Sequence, residues 1–497
     1  MGQMRFVVHD RAQVTQSLLA RTFAVSGQEE VPYLGRTYLS GDLLVVERRD
    51  DSSGSVHVPW NVPKFGVWQL ATASLMEREK PYLLELELAR GTVFRLRNQL
   101  GSWQLLGLEA PEEVTERVAE ATRAFSRAAT NQDNPAEAAR YATEAMAAAA
   151  AGSVALADTY GEQAIRVRAG ETEKLGTLLG VRLSDSAPEG AMAERIAEAC
   201  NIVAAPLAWK SVEATEGKRR WKACDEQVAW AHQHNMKVIG GPLLEFDERS
   251  LPEWSFLWEG DYSAVASLMM EHVRTTVQRF RGRIHLWNVA ARVNHQRVLG
   301  LTDEQRLQVV ARAVREVRAI DTRTPIVVSF DEPWAEYMAH QPAEMAPLDF
   351  ADQLERADLG ISGFGVELNA GFHPFGTAPR NPLAFSRLID QWSQRLELPL
   401  LVMVSAPSSA SADPMAPPKV KVVAGGEGRT IDADYQADWA RRRLPMLLAK
   451  NCVQIVLWNT LADDRPHDFP NAGLFDSTGA PKPVLGVLRD VREKYLT

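Results

Sequence analysis

Arg283-Ile284-His285-Leu286-Trp287-Asn288-Val289-Ala290-Ala291-Arg292-Val293-Asn294 carries a short apolar run, Ile284 to Ala290, that is closed by a cation at Arg292. A run this short reads as a strand, and the amphipathic stretches on either side of it read as helices. The same alternation continues outward. Leu178–Leu183 supplies a first strand, Cys200–Ala205 a second and Met236–Leu244 a third, with Ile284–Ala290 as the fourth. Pro325–Phe330, Ile361–Leu368, Leu398–Ser405 and Val453–Trp458 follow as the fifth to the eighth. Strand–helix alternation is the sequence form of a parallel sheet wrapped by helices, and eight strands close a (β/α)8 TIM barrel whose reactive face is the set of loops after the strand C-terminal ends.

Residues 1–108 read as strands, with Gly41–Arg49 entering a turn and Pro81–Arg97 alternating apolar and charged residues. An antiparallel β-sandwich of jelly-roll type is the expectation. Trp60, Trp68 and Trp103 there read as core or interdomain residues before they read as a sugar platform. Residues 109–172 turn helical. Pro111-Glu112-Glu113 opens a helix with acids in its first turn, Asn131–Pro135 breaks it, and an Ala-rich second helix is expected to end near Gly152. This hairpin links the sandwich to the barrel, 173–497.

Across 497 residues the chain is 45% hydrophobic and 24% charged with a formal net charge of -9, the composition of a globular protein with a large core. Nucleic acid is excluded as a partner by the lack of a basic stripe. No stretch reads as a membrane span or a secretion signal. Cys200, Cys224 and Cys452 show neither metal-type spacing nor an even count, so they read as thiols in a reducing compartment, and a cytoplasmic location is the expectation. No cofactor is implied. Oligomerisation through the hairpin or the sandwich stays open.

The segment around Trp287 resembles the fourth barrel strand of glycoside hydrolase family 10, the xylanase family, which typically reads Trp-Asp-Val-Val-Asn-Glu and whose Glu is the general acid/base. Aligned on Trp287, Ala291 stands at the Asn and Arg292 at the Glu. Further anchors spread over residues 175 to 495 support the resemblance: Trp209 with Glu213 and Gly217, Asp225, Asn235–Gly240, Pro252-Glu253-Trp254, Gly363–Glu367, and Trp458 with Gly473–Asp476 and Pro481-Lys482-Pro483. The resemblance implies a barrel that handles carbohydrate. It also marks departures: Ala204–Leu207 where the family has a Glu-Asn pair, Gly241 for a His, and Glu367 and Asn369 for a Gln and a His. Val404 falls at the nucleophile Glu.

A retaining glycosidase needs two carboxyls roughly 5 Å apart and an inverting one a pair roughly 6.5–9.5 Å apart. Relocated carboxylates are therefore sought at strand ends. Glu332 and Glu367, on neighbouring strands, come first and Glu245 next, with Asp331 beside them and Asp463 and Asp464 after the eighth strand. Arg292 would hold one of them ionised or grip an anionic sugar such as a uronate. Trp287, Asn288, Asn369 and Trp458 complete the expected saccharide contacts. The plain alternative for each acid is a helix cap or a partner for a loop arginine. His373 and His467 lack metal-site spacing, and no metal is expected. The Pro/Ser/Ala/Gly-rich loop 406–432 reads as a lid, a partner arm or a mobile connection. Two functions follow: a glycosidase with a relocated carboxylate pair, or a glycan-binding or assembly pseudoenzyme.

Overall fold

The computed structural model describes residues 2–27, 30–49, 51–294, 298–423 and 430–497. Two small sheets open the chain. Gly35–Ser40, Leu43–Arg48, Gly2–Val7 and Tyr82–Leu83 lie side by side in that order, the last pair parallel. Phe23–Ser26, Gly54–Val62 and Gly66–Ala71 form an antiparallel set of three. Phe6 and Leu44 from one sheet and Val58, Trp60 and Trp68 from the other share one apolar core. Trp103 is buried in it too and stacks on Tyr160 at 4.0 Å.

The strand reading of 81–97 is overturned beyond Leu83, because Leu84–Leu105 is an α-helix. Alternation over Leu84–Leu88 mimics period two, but Ala89, Val93, Leu96, Leu100 and Trp103 continue at helical spacing and are all buried. The acids find partners in the first turn: Glu85 accepts the backbone N–H groups of His9 and Asp10, and Glu87 pairs with Arg90. Gly91 permits the helix to lie on the neighbouring sheet, since a Cβ there would stand 2.0 Å from the Ala71 carbonyl oxygen.

Glu112–Thr130 and Pro135–Ala169 form the expected hairpin, but the second helix runs well past Gly152. That glycine is a packing device, not a terminator. A Cβ on it would lie 2.9 Å from Leu96 Cδ2, so it lets the helix approach Leu84–Leu105 closely. The long helix continues onto the barrel, where the Arg168 guanidinium donates to the Leu448 and Val453 carbonyls. Just beyond, Leu175 is bridged to Leu496 near the other end of the chain.

The barrel strands are Leu178–Arg182, Ile202–Ala205, Lys237–Gly240, Leu286–Ala291, Ile326–Phe330, Gly363–Asn369, Leu400–Ser405 and Val453–Trp458. Each pairs in parallel with its neighbours and the eighth with the first, which closes the ring. The third strand stops at Gly240. Gly241 has φ 123 and resumes, after Pro242, as Leu244–Glu245 alongside the fourth strand. Side chains alternate across the wall. Ala204, Ile239, Leu286, Val327, Leu401, Met403 and Leu457 fill the interior, whereas Trp287, Val366, Val404 and Trp458 pack outward under the helices.

Candidate functional site

The fourth strand ends at Ala291, past an irregularity between Asn288 and Ala290, and Arg292 follows it at the C-terminal mouth with a backbone φ of 57 that turns the chain off the strand. Five carboxylates of the described residues surround its guanidinium. Asp468 lies at 2.7 Å, Glu245 and Glu367 at 3.3 Å, Asp247 at 3.4 Å and Asp331 at 3.8 Å. Two more cations complete the network: Arg182, ending the first strand, reaches Glu245 at 3.0 Å, and Arg249 pairs with Asp247 and Asp468.

Burial opposes the charge on Arg292, but Asp468, Glu367, Glu245 and Asp331 outweigh it and hold the guanidinium well above its ordinary pKa. Burial likewise opposes the charge on Asp468, and Arg292, Arg249 and Arg182 reverse the balance, holding that carboxyl well below the usual carboxylate range. Asp247 is depressed for the same reason, desolvation being overcome by Arg249 and Arg292. These groups stay ionised through the physiological range.

A layer of amides supports the acids. Asn369 Nδ2 donates to Glu367 Oε2 at 3.2 Å, Asn459 Nδ2 donates to the same oxygen at 3.1 Å, and Ser405 Oγ donates to Asn369 Oδ1 at 2.7 Å. Glu332 is buried next to Asp331 with a left-handed φ of 44, its backbone N–H donating to Asp331 Oδ1. Asn288 sits deeper and accepts from Ser329 Oγ at 3.2 Å.

The structure thus brings Glu245, Arg292, Asp331, Glu367 and Asn369 together, with Glu332 beside them, and it separates others. Trp287 is fully buried outside the strand wall, its indole N–H donating to Asp321 Oδ2 at 3.0 Å. Trp458 is buried there too, donating to the Ala472 carbonyl. Neither can stack on a sugar at the mouth, because strand alternation points both rings away from it. Val404 packs outward as well, and the seventh-strand residue facing the mouth is Ser405. Asp463 receives the Lys482 ammonium and the Gly473 N–H, and Asp464 faces Arg465, so neither joins the cluster. Arg292 is enclosed by acids, which removes it as a grip for a uronate.

Arg182, Asp247, Arg249, Ser405, Asn459 and Asp468 were not foreseen. Arg182, Ser405 and Asn459 stand at strand ends where period-two counting could have found them. Asp247, Arg249 and Asp468 lie on loops whose path no local pattern fixes. Within the loop 406–432, residues 424–429 lie outside the described residues. The preceding part is anchored: Asp413 accepts His467 Nε2 at 2.9 Å and the Asn471 N–H at 2.7 Å, and Lys421–Val422 pairs with Phe372–His373. Asp413, Asp463 and His467 place ligand-type atoms within 4.8 Å of one another. Lys482 already supplies the cation of that trio.

Residues 169–309 match the model of Glycosyl hydrolase family 10. Endo-1,4-beta-xylanase C of Paenibacillus barcinonensis is 31% identical over 133 residues, 24% of this chain and 12% of that protein. Endo-1,4-beta-xylanase B of Thermotoga neapolitana is 25% identical over 83 residues, 17% of this chain and 23% of that one. The chain therefore spans less than a quarter of the length of these relatives. The crystal structure of native xylanase 10B from Thermotoga maritima aligns with a TM-score of 0.49 and 16% identity, covering 65% of this chain and 96% of that one. The matched segment runs from the end of the long helix through the first four barrel strands, and over that segment the barrel is similar to those of the family 10 xylanases.

Proposed function

We propose that this protein is carbohydrate-active through the C-terminal mouth of its barrel, and that the mouth binds a saccharide without hydrolysing it. One observation carries the reading: a guanidinium, not a carboxyl, ends the fourth strand, and it holds the surrounding carboxylates in ion pairs. Glycoside hydrolysis needs one carboxyl that can give a proton and another that is free to attack or to activate water. Glu245 and Glu367 both contact Arg292, and Asp468 and Asp247 are kept ionised by arginines. Such groups can accept hydrogen bonds from sugar hydroxyls but lack the paired acid and base.

A hydrolytic reading, with Glu245, Glu332 and Glu367 as the relocated carboxylates, draws on Glu332. It is buried at the mouth in a backbone conformation that non-glycine residues hold only when their surroundings impose it, as happens at functional sites. Reducing-end release from xylan and neutral and amino-sugar oligosaccharides separates the two. Binding without release supports the first reading. Release that disappears in both Glu332→Gln and Glu367→Gln overturns it in favour of the second.

The compartment we propose is cytoplasmic. Cys200 and Cys224 are free, and burial pushes their thiols up to about 12 and about 11, the state of inert reduced cysteines. Among the described residues no helix is long and apolar enough to cross a membrane.

A further inference from the structure

We infer that residues 406–423 form a lid clasped over the barrel mouth by the charged form of His467, and that this lid loosens as pH rises. The cover is aromatic. Phe375 and Phe469 line the space beside Arg292, Asp331 and Asp468, and Phe372 packs on Phe469 with ring centroids 4.9 Å apart. Val420 of the lid joins Phe372 and Phe469 in one apolar cluster, and the Lys419 ammonium lies 4.5 Å from the Phe375 ring. The space enclosed there, about 10 Å³, holds no more than one water, so any larger ligand of the mouth must first displace this cover.

The clasp is a ring between two acceptors. His467 Nδ1 lies 2.6 Å from the Arg465 carbonyl oxygen, and Nε2 lies 2.9 Å from Asp413 Oδ2 on the lid. A neutral imidazole carries one N–H and satisfies one of the two, whereas the imidazolium carries both. The His467 and Asp413 side chains are 7% and 3% exposed, so water does not replace a lost contact. Burial opposes the charge on Asp413, but the N–H groups of Asn471 and Met415 and the His467 ring outweigh it and hold that carboxyl below its usual range. The other charged groups near the ring do not replace its proton. Asp463 comes within 4.8 Å of His467 and Asp413 but receives the Lys482 ammonium, and the Arg465 side chain is turned to Asp185, Asp464 and Ser186. The neighbouring links, from the Ser408 N–H to the Asn471 carbonyl and from Asn471 Nδ2 to the Ser411 carbonyl, do not titrate. The clasp is therefore complete in mild acid and is lost as pH rises through the range in which imidazoles titrate.

The test is hydrogen exchange of the full chain, read by mass spectrometry at about pH 6 and about pH 8.5, with each rate divided by the intrinsic rate at that pH. Protection of peptides covering 408–423 and 467–471 is expected to fall about tenfold from the lower pH to the higher, the loss of one charge-assisted hydrogen bond. A peptide covering Ile326–Phe330 in the barrel wall should hold its protection. His467→Gln keeps a donor for Asp413 without a titrating proton, so its lid protection should be equal at the two values. Asp413→Asn removes the charge that the ring clasps and should resemble the high-pH wild type at both. Wild-type protection that does not change with pH overturns the inference, as does a fall that persists undiminished in His467→Gln. If circular dichroism shows that variant misfolded, a fall that persists in Asp413→Asn overturns it in the same way.

Discussion

Replacing Arg292 by Met removes the central cation and keeps most of its apolar volume. Glu245, Asp331 and Glu367 then lose a contact within 4 Å while remaining almost wholly buried. Breaking one partner out of a buried ion network costs about 3–5 kcal/mol. Arg182 and Arg249 remain to hold Glu245, Asp247 and Asp468, which places the expectation near 3. At about 2 °C per kcal/mol for a large domain, the melting temperature at neutral pH should fall by about 6 °C. The pH dependence gives a sharper check. In the wild type the depressed pKa values of Asp247 and Asp468 contribute stability that is present above their unfolded values, near 3.9, and is lost as pH falls through the folded ones. In Arg292→Met the bereft carboxyls are raised in the folded state, so they take up protons early and the variant regains ground on acidification. The deficit must therefore narrow from about pH 7 to about pH 4. A loss below about 1 kcal/mol, or a deficit that widens in acid, would refute the account of Arg292 as the charge that holds the mouth together.

Arg292→Glu should not create xylan hydrolysis and should destabilise more than Arg292→Met, since it adds a sixth acid to the cluster while the seventh strand still presents Ser405; reducing-sugar assay and thermal melts check both halves. Trp287→Phe should lower stability by about 1 kcal/mol through loss of the hydrogen bond to Asp321, and should leave saccharide affinity unchanged, in contrast to a residue of the mouth. Gly91→Ala should lose about 1–3 kcal/mol because its methyl would meet the Ala71 carbonyl, whereas an alanine elsewhere on an exposed helix face would stabilise; denaturant midpoints discriminate these.

Eight barrel strands were legible because each is a short apolar run between amphipathic helices, and a one-residue error at an end does not erase the run. Where alternation was ambiguous the reading failed. Leu84–Leu88 satisfies both periods, and only the longer stretch to Trp103 decides for a helix. Gly152 reads as a stop from sequence, because a glycine's role in letting two helices approach depends on the partner helix, which sequence does not reveal. At the mouth, Arg292 and three of its acids could be named from strand ends, while Asp247 and Asp468 arrive on loops. Trp287 and Trp458 face the outer side of the wall, because a residue next to a mouth-facing position along a strand points to the opposite side.

The clasp of Arg168 on the Leu448 and Val453 carbonyls lies where the ring of strands is completed, close to the bridge between Leu175 and Leu496. Closure of a barrel by its first and last strands is the pairing with the longest loop to draw in, and it is the slowest to form. The long helix thus serves as a buckle on that seam, and a barrel expressed without residues 135–169 should fold more slowly and shed its eighth strand first under hydrogen exchange.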